Sequence, residues 1–338
     1  MNNNTLLLLN LTMMKYDIYE YEKYVTDLDS VMETLEKYGV AIIPGVLTES
    51  ECTDMVDKIW DFFERLTSSW DQPIDRKNKG TWRGFYKLYP KHSMLFQNWC
   101  MGHSHASWDV RQNKKVVQIF SKIWDVKPEE LLVSFDGFSF NPPPEITNKG
   151  WNRNNTWYHS DQSFTRNGFE CVQSWVTGLD VEEGDATLSF YEGSHKFHKE
   201  LADRFEITDK ADWKKLKKEE EVFYIEKGCI AKKIRCPKGS MVLWDSRTIH
   251  CGTEAFRMRE HSKFRAVIYV CYEPRSHATA AHLRKKRKAF HELRGTSHWP
   301  AKSKLFPWKP YTYGGEIPEI TLINPPVLTE LGKKLAGF

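Results

Sequence analysis

Apolar residues recur at helical spacing through Leu28, Val31, Met32 and Leu35, and Gly39 stands where such a helix must stop. Val40-Ala41-Ile42-Ile43 then reads as a short buried strand closed by Pro44-Gly45. Thr48 followed three residues later by Glu51 forms a capping-box pattern, and it opens an amphipathic helix carrying Met55, Val56, Ile59, Trp60, Phe63 and Leu66. Residues 68 to 110 hold no sustained period and are rich in Trp, Gly, Pro, His and Lys, so long loops over the core are expected there. Val116 to Trp124 supplies another helix.

From about Leu131 the period changes from helical to alternating. Leu131 to Phe140, Glu170 to Leu179, Thr187 to Tyr191, Cys229 to Ile234, Met241 to Asp245 and Phe264 to Tyr272 read as strands separated by turns such as Asn141-Pro142-Pro143-Pro144 and Pro237-Lys238-Gly239. Lys196 to Glu221 is highly charged and is expected to be a solvated, partly helical insertion. Strands without intervening helices predict an antiparallel sandwich or barrel, giving a mainly β fold with flanking helices. The organisation expected is a poorly specified leader at 1–25, a single domain at 26–275 and a basic, aromatic extension at 276–338 packed on the core. Within the domain, 26–130 is helical and 131–275 is strand-rich.

With 40% hydrophobic residues in 338, the chain has ample material for a core. A net charge of +4 is too balanced to imply a nucleic-acid partner by itself. The seven cysteines are odd in number and contain no CxxC pair, which argues for a reducing, cytoplasmic setting. The run Leu6 to Leu9 lacks preceding basic residues, so a signal peptide is not expected. No stretch approaches the roughly 20 apolar residues that span a bilayer.

The candidate chemistry begins at Trp157-Tyr158-His159-Ser160-Asp161, where an imidazole and a carboxylate two residues apart project to one face of an extended segment. Completed by a second histidine, such a pair forms the facial triad that holds Fe(II) with positions left open. His250 follows a Gly-initiated strand and supplies that histidine, while Arg265 opens the next strand and presents parallel donors that match a carboxylate. Among 12 histidines an HxD pair arises easily by chance, so the context carries the weight. His92, His103 and His105 lack a nearby carboxylate and read as satisfied or exposed, and His195 reads as a turn residue. Asp245 and Arg247 read as a structural pair, and Arg257 and Arg259 as solvated charges in a polar loop.

The order HxD, Gly184-Asp185-Ala186-Thr187-Leu188-Ser189-Phe190-Tyr191-Glu192-Gly193-Ser194-His195, Gly239-Ser240-Met241-Val242-Leu243-Trp244-Asp245 leading to His250, then Phe264-Arg265-Ala266-Val267, resembles the phytanoyl-CoA dioxygenase-like family of Fe(II)/2-oxoglutarate oxygenases. Tyr38 to Leu47 is similar to that family's N-terminal strand and following helix, so the resemblance runs from about 28 to 275. It implies a double-stranded β-helix (jelly-roll, cupin-like) core, with His159, Asp161 and His250 as iron ligands and Arg265 binding the far carboxylate of 2-oxoglutarate. It further implies hydroxylation of a C–H bond in a small-molecule substrate, with succinate and CO2 as co-products. Related halogenases replace the carboxylate ligand by a small residue, so Asp161 favours hydroxylation. Val267 stands where many relatives outside the family place a Ser, and Tyr158, Gln173, Thr187 and Tyr269 are therefore the candidates to assist Arg265.

The run Arg284-Lys285-Lys286-Arg287-Lys288 is a possible contact for a phosphate-bearing ligand, against the plainer reading of a solvated helix face. It also motivates an alternative in which a nucleic-acid-binding or nucleic-acid-modifying protein uses this segment on the same core, although the overall charge disfavours it. A zinc hydrolase built on the same triad is a further alternative, but it leaves Arg265 without a task. The later segment through Trp299, Phe306 and Trp308 is expected to cross the barrel and to rim its opening.

Overall fold

The computed structural model describes residues 17–91, 94–149 and 156–338, so most of the expected leader and His92 lie outside the described residues. Its strands are β1 (Tyr19–Glu20), β2 (Val40–Ile43), β3 (Leu95–Phe96), β4 (Leu131–Val133), β5 (Phe138–Asn141), β6 (His159–Ser160) and β7 (Val172–Thr177). They continue with β8 (Thr187–Tyr191), β9 (Lys214–Lys215), β10 (Ala231–Ile234), β11 (Met241–Asp245), β12 (His250–Thr253) and β13 (Arg265–Pro274). One sheet runs β2-β11-β7-β13-β5-β3, with β4 also on β13, and the other runs β1-β10-β8-β12-β6-β9. Among the paired strands of the described residues only β1–β10 is parallel, beside an isolated parallel bridge between Val25 and Ile42.

Side-chain alternation explains why the sheets face each other. Leu188 and Phe190 of β8 pack with Trp175 of β7, Val242 and Trp244 of β11 and Val267 of β13, forming an interior shared by both sheets. The residues between them, among them Val176, Leu243, Ala266 and Ile268, point to the other side of the larger sheet and pack under the helices. Those helices are α1 (Val31–Tyr38), α2 (Glu49–Leu66), α3 (His105–Arg111) and α4 (Lys114–Trp124). This is the mainly β fold with flanking helices that the strand pattern predicts, and it is consistent with the jelly-roll core that the family resemblance implies.

Local chemistry sets the helix ends. Gly39 ends α1 at φ 79°, a left-handed conformation that costs glycine little. Thr48 and Glu51 form the complete capping box of α2. Phe63 of α2 meets Phe85, Phe96 and Phe138 edge-on at 4.8, 4.9 and 5.6 Å. Burying one such ring removes about 200 Å² from water, worth up to about 5 kcal/mol before entropy is counted.

Four expectations change. The segment Leu131 to Phe140 is two strands, because a Cβ on Gly137 would lie 1.5 Å from Phe96 O, and this close approach of β3 interrupts the run. Residues 68–110 contain a 3-10 stretch, Lys79–Leu88, as well as α3. The charged insertion is not wholly solvated, since its Leu201, Ala202 and Leu216 are buried in one cluster with Tyr158 and Tyr191. Arg259 is not a solvated charge: it pairs with Glu145 at 2.7 Å and with Asp185 at 2.5 Å.

The extension is sewn to the barrel. Thr296 N donates to Phe135 O at 3.1 Å, Phe135 N to Thr296 Oγ1 at 3.0 Å, and Ala301 N to Glu273 Oε2 at 2.7 Å. In the helix Ala280–His291, Arg284, Lys285 and Lys288 are exposed, whereas Lys286 is buried with its Nζ on Val133 O and 4.1 Å from the Phe135 ring centroid. Arg287 donates to Gly337 O at 3.2 Å. The basic run is therefore divided between solvent and internal bonds. No described helix is long and apolar enough to cross a membrane.

Candidate active site

The antiparallel pairing of β12 with β6 sets His250 directly opposite His159. His250 also lies opposite Phe190, an interior residue, so both imidazoles face the space between the sheets. Each Nδ1 meets a backbone carbonyl: His159 with Trp157 O at 3.2 Å and His250 with Thr248 O at 2.8 Å. Donation there leaves the Nε2 lone pair of each ring free for a metal. Both Nε2 atoms turn to Asp161 Oδ2, at 3.6 Å from His159 and 3.2 Å from His250. The three ligand atoms lie within 4.8 Å of one another and all three residues are buried. Two neutral imidazoles and one carboxylate from neighbouring strands are the donor set of a facial triad.

The electrostatics fit that set. Burial holds the His159 imidazole below its ordinary range, which keeps it in the neutral, ligating form. Burial acts to raise Asp161, but His159 and His298 nearby, together with His250, hold its carboxyl well below the usual range. Gln173 Nε2 donates to Asp161 Oδ2 at 2.9 Å, so this expected cosubstrate residue stands beside the carboxylate of the cluster. Beyond Asp161 the chain is pinned: Gln162 N donates to Ser246 O at 3.2 Å and Ser246 Oγ to Gln162 Oε1 at 2.7 Å.

Arg265 is buried at 6% exposure and has no carboxylate within ion-pair distance among the described residues. Its Nε has no hydrogen-bond partner, its NH1 is 3.4 Å from Tyr269 Oη, and its guanidinium lies 5.6 Å from the Trp175 ring centroid. An unpaired buried guanidinium is costly unless an anion completes it. Tyr269, held to Ser139 Oγ at 3.2 Å, is the candidate assistant that stands beside Arg265.

Tyr158 and Thr187 are not brought to the triad. Alternation sends both to the outer side of the smaller sheet, where Tyr158 Oη meets Ser189 Oγ at 2.8 Å and Thr187 Oγ1 donates to Ile234 O at 2.8 Å. The plainer assignments stand: His195 Nε2 meets Glu36 O at 2.9 Å, His103 Nε2 meets Arg294 O at 3.0 Å, and Arg247 pairs with Asp245 at 2.6 Å. Two residues at the triad escape sequence reasoning. Trp213, the one tryptophan of the charged insertion, lies 5.7 Å from His159 by ring centroids. His298, in the extension, bears electrostatically on Asp161.

The family model for phytanoyl-CoA dioxygenase matches residues 35–257. A protein of Aspergillus versicolor described as Ava biosynthesis cluster protein O is 24% identical over 276 residues, covering 79% of this chain and 85% of that protein. The fold resembles that of a Salmonella typhimurium LT2 protein provisionally described as an oxidoreductase, with TM-score 0.60 and 11% identity over 99% of this chain and 90% of that one. A Candida albicans protein described as the product of a GlcNAc-inducible gene aligns with TM-score 0.54 and 13% identity over 82% of this chain and 70% of its own.

Proposed function

The chain belongs to the phytanoyl-CoA dioxygenase family of Fe(II)/2-oxoglutarate oxygenases, and from that premise we propose that it hydroxylates a C–H bond of a small molecule, with succinate and CO2 as co-products. The observation that carries this reading is the pairing of a buried His159–Asp161–His250 cluster with a buried guanidinium, Arg265, that lacks a carboxylate. In this reading His159 Nε2, Asp161 Oδ2 and His250 Nε2 hold the iron, and Arg265, with Tyr269 Oη beside it, takes the remote carboxylate of 2-oxoglutarate. Bound iron and 2-oxoglutarate supply, with dioxygen, the oxidant for an unactivated C–H bond.

The protein's own contribution is placement and dryness. Gln173 steadies the carboxylate ligand, and Phe190, Trp175, Val267 and Trp244 wall the interior against water. A carboxylate at position 161 occupies the place that halide takes in related halogenases, which favours hydroxylation. All seven cysteines are free and buried, in keeping with a cytoplasmic setting.

The test uses anaerobically purified protein given Fe(II), ascorbate, 2-oxoglutarate and a panel of small molecules. Succinate release that requires iron and is lost in Asp161→Ala and Arg265→Met is the expected result. Failure to bind iron, or succinate release indifferent to both substitutions, overturns the reading.

A further inference from the structure

Trp213 and His298 adjoin the triad yet have no task in the reading above. Trp213 directly precedes β9, whose Lys214 and Lys215 pair with Ser160 and His159, so backbone pairing fixes the segment beside the ligand strand. Its ring lies 36° from the plane of His159, yet 50% of the residue is exposed. Trp157 contrasts with it: stacked on His159 at 4.6 Å and 10°, it donates its indole N–H to Gly252 O at 3.0 Å and serves as a fixed wall. A rigidly placed indole left half in water forgoes hydrophobic burial that a second flat surface would recover.

His298 reaches the site from outside the matched family region. Its segment is anchored at Thr296 on Phe135 and at Ala301 on Glu273. The neighbouring Trp299 packs on Cys171 and Cys271, and Cys271 lies opposite Gln173, the residue bonded to Asp161. His298 Nε2 is buried without a hydrogen-bond partner, a state that a polar group in the adjoining space would relieve.

Among the charged groups nearby, Arg166 pairs with Asp212 at 2.5 Å and Glu170 at 3.1 Å, and Lys214 with Glu220 at 2.5 Å. Lys215, exposed and in register with His159, stands on the same face beside the mouth.

Resting on the oxygenase reading, we propose that Trp213 and His298 form the substrate subsite, which takes a planar conjugated molecule whose ring lies on Trp213 and whose carbonyl or hydroxyl hydrogen-bonds His298 Nε2. Isothermal titration calorimetry on the anaerobic protein loaded with Fe(II) and 2-oxoglutarate provides the test. The probes are N-methyl-2-naphthamide and its fully saturated decalin counterpart. The aromatic probe should bind about tenfold more tightly than the saturated one. Trp213→Ala should erase that preference. His298→Ala should weaken both probes, and His298→Gln, which keeps a hydrogen-bonding group, should restore part of the loss. Affinity for 2-oxoglutarate, held by Arg265, reports in each variant that the fold is intact.

Equal affinity for the two probes, a preference that survives Trp213→Ala, or no probe binding while iron and 2-oxoglutarate bind would overturn the subsite and leave the oxygenase reading standing. Wild-type protein that binds neither iron nor 2-oxoglutarate would overturn both.

Discussion

Replacing Arg265 by Met tests the cosubstrate end of the site, because the structure predicts opposite effects on the free and the liganded protein. In the free protein the guanidinium is 6% exposed, its Nε is unpartnered, and its polar contact to Tyr269 is 3.4 Å long. Methionine fills similar space without a buried charge. The loss of the Trp175 contact costs about 0.5–1 kcal/mol, and relief of the unpaired charge offsets it, so the free protein should be as stable as wild type or more so. With 2-oxoglutarate present the balance reverses. Two charge-assisted hydrogen bonds at about 1.5–3 kcal/mol each amount to about 3–6 kcal/mol, or roughly 10²–10⁴ in affinity. Arg265→Lys keeps a point charge but loses the fork, and its loss should be intermediate. Anaerobic calorimetry measures the affinity, and thermal unfolding with and without cosubstrate supplies the check. Cosubstrate at about 100 times its Kd should stabilise wild type by about 2.7 kcal/mol and the Met variant hardly at all. Wild-type affinity in Arg265→Met, or a free protein several kcal/mol less stable, would refute the argument.

Three further outcomes follow from single contacts. Gln173→Ala removes the 2.9 Å bond to Asp161 and should lower iron affinity about 10- to 100-fold in a metal titration, with little change in Tm. Gly137→Ala places a Cβ 1.5 Å from Phe96 O, so the β3–β5 pairing must separate, and chemical denaturation should show a loss of about 2 kcal/mol or more. Burial, with Arg111 adding to it, pushes the Lys286 ammonium from 10.5 down to about 7. Between those two pH values the unfolded chain therefore holds more protons than the folded one, and this residue makes stability rise with pH. Urea denaturation should show wild type gaining on Lys286→Met as pH rises through that window, and a constant difference would contradict the burial. Glu273, raised by burial from 4.5 to about 7, acts in the opposite sense over its own window.

The candidate triad was legible because His159 and His250 begin strands that pair directly in the smaller sheet, with Asp161 just beyond the first of them, while Arg265 begins a strand of the larger sheet. The strands of the larger sheet were legible because both of their faces are buried, which leaves continuous apolar runs such as Ala266-Val267-Ile268. β9 was not, since Lys214 and Lys215 pair through their backbones at a sheet edge and carry no apolar signature. Lys286 was hidden in a basic run because nothing local distinguishes the lysine that turns inward onto Val133 O. Tyr158 and Thr187 carry suitable groups, but register alone decides which face they take. Trp213 and His298 reach the triad through long-range packing, which spacing along the chain does not encode.

The most direct test of the central claim is a crystal structure of the protein grown anaerobically with Fe(II) and 2-oxoglutarate, with the metal identified by anomalous scattering at the iron edge. The account predicts iron bonded to His159 Nε2, Asp161 Oδ2 and His250 Nε2, and the far carboxylate of 2-oxoglutarate on the Arg265 guanidinium. A metal held elsewhere, or a cosubstrate carboxylate that leaves Arg265 unpaired, would contradict it.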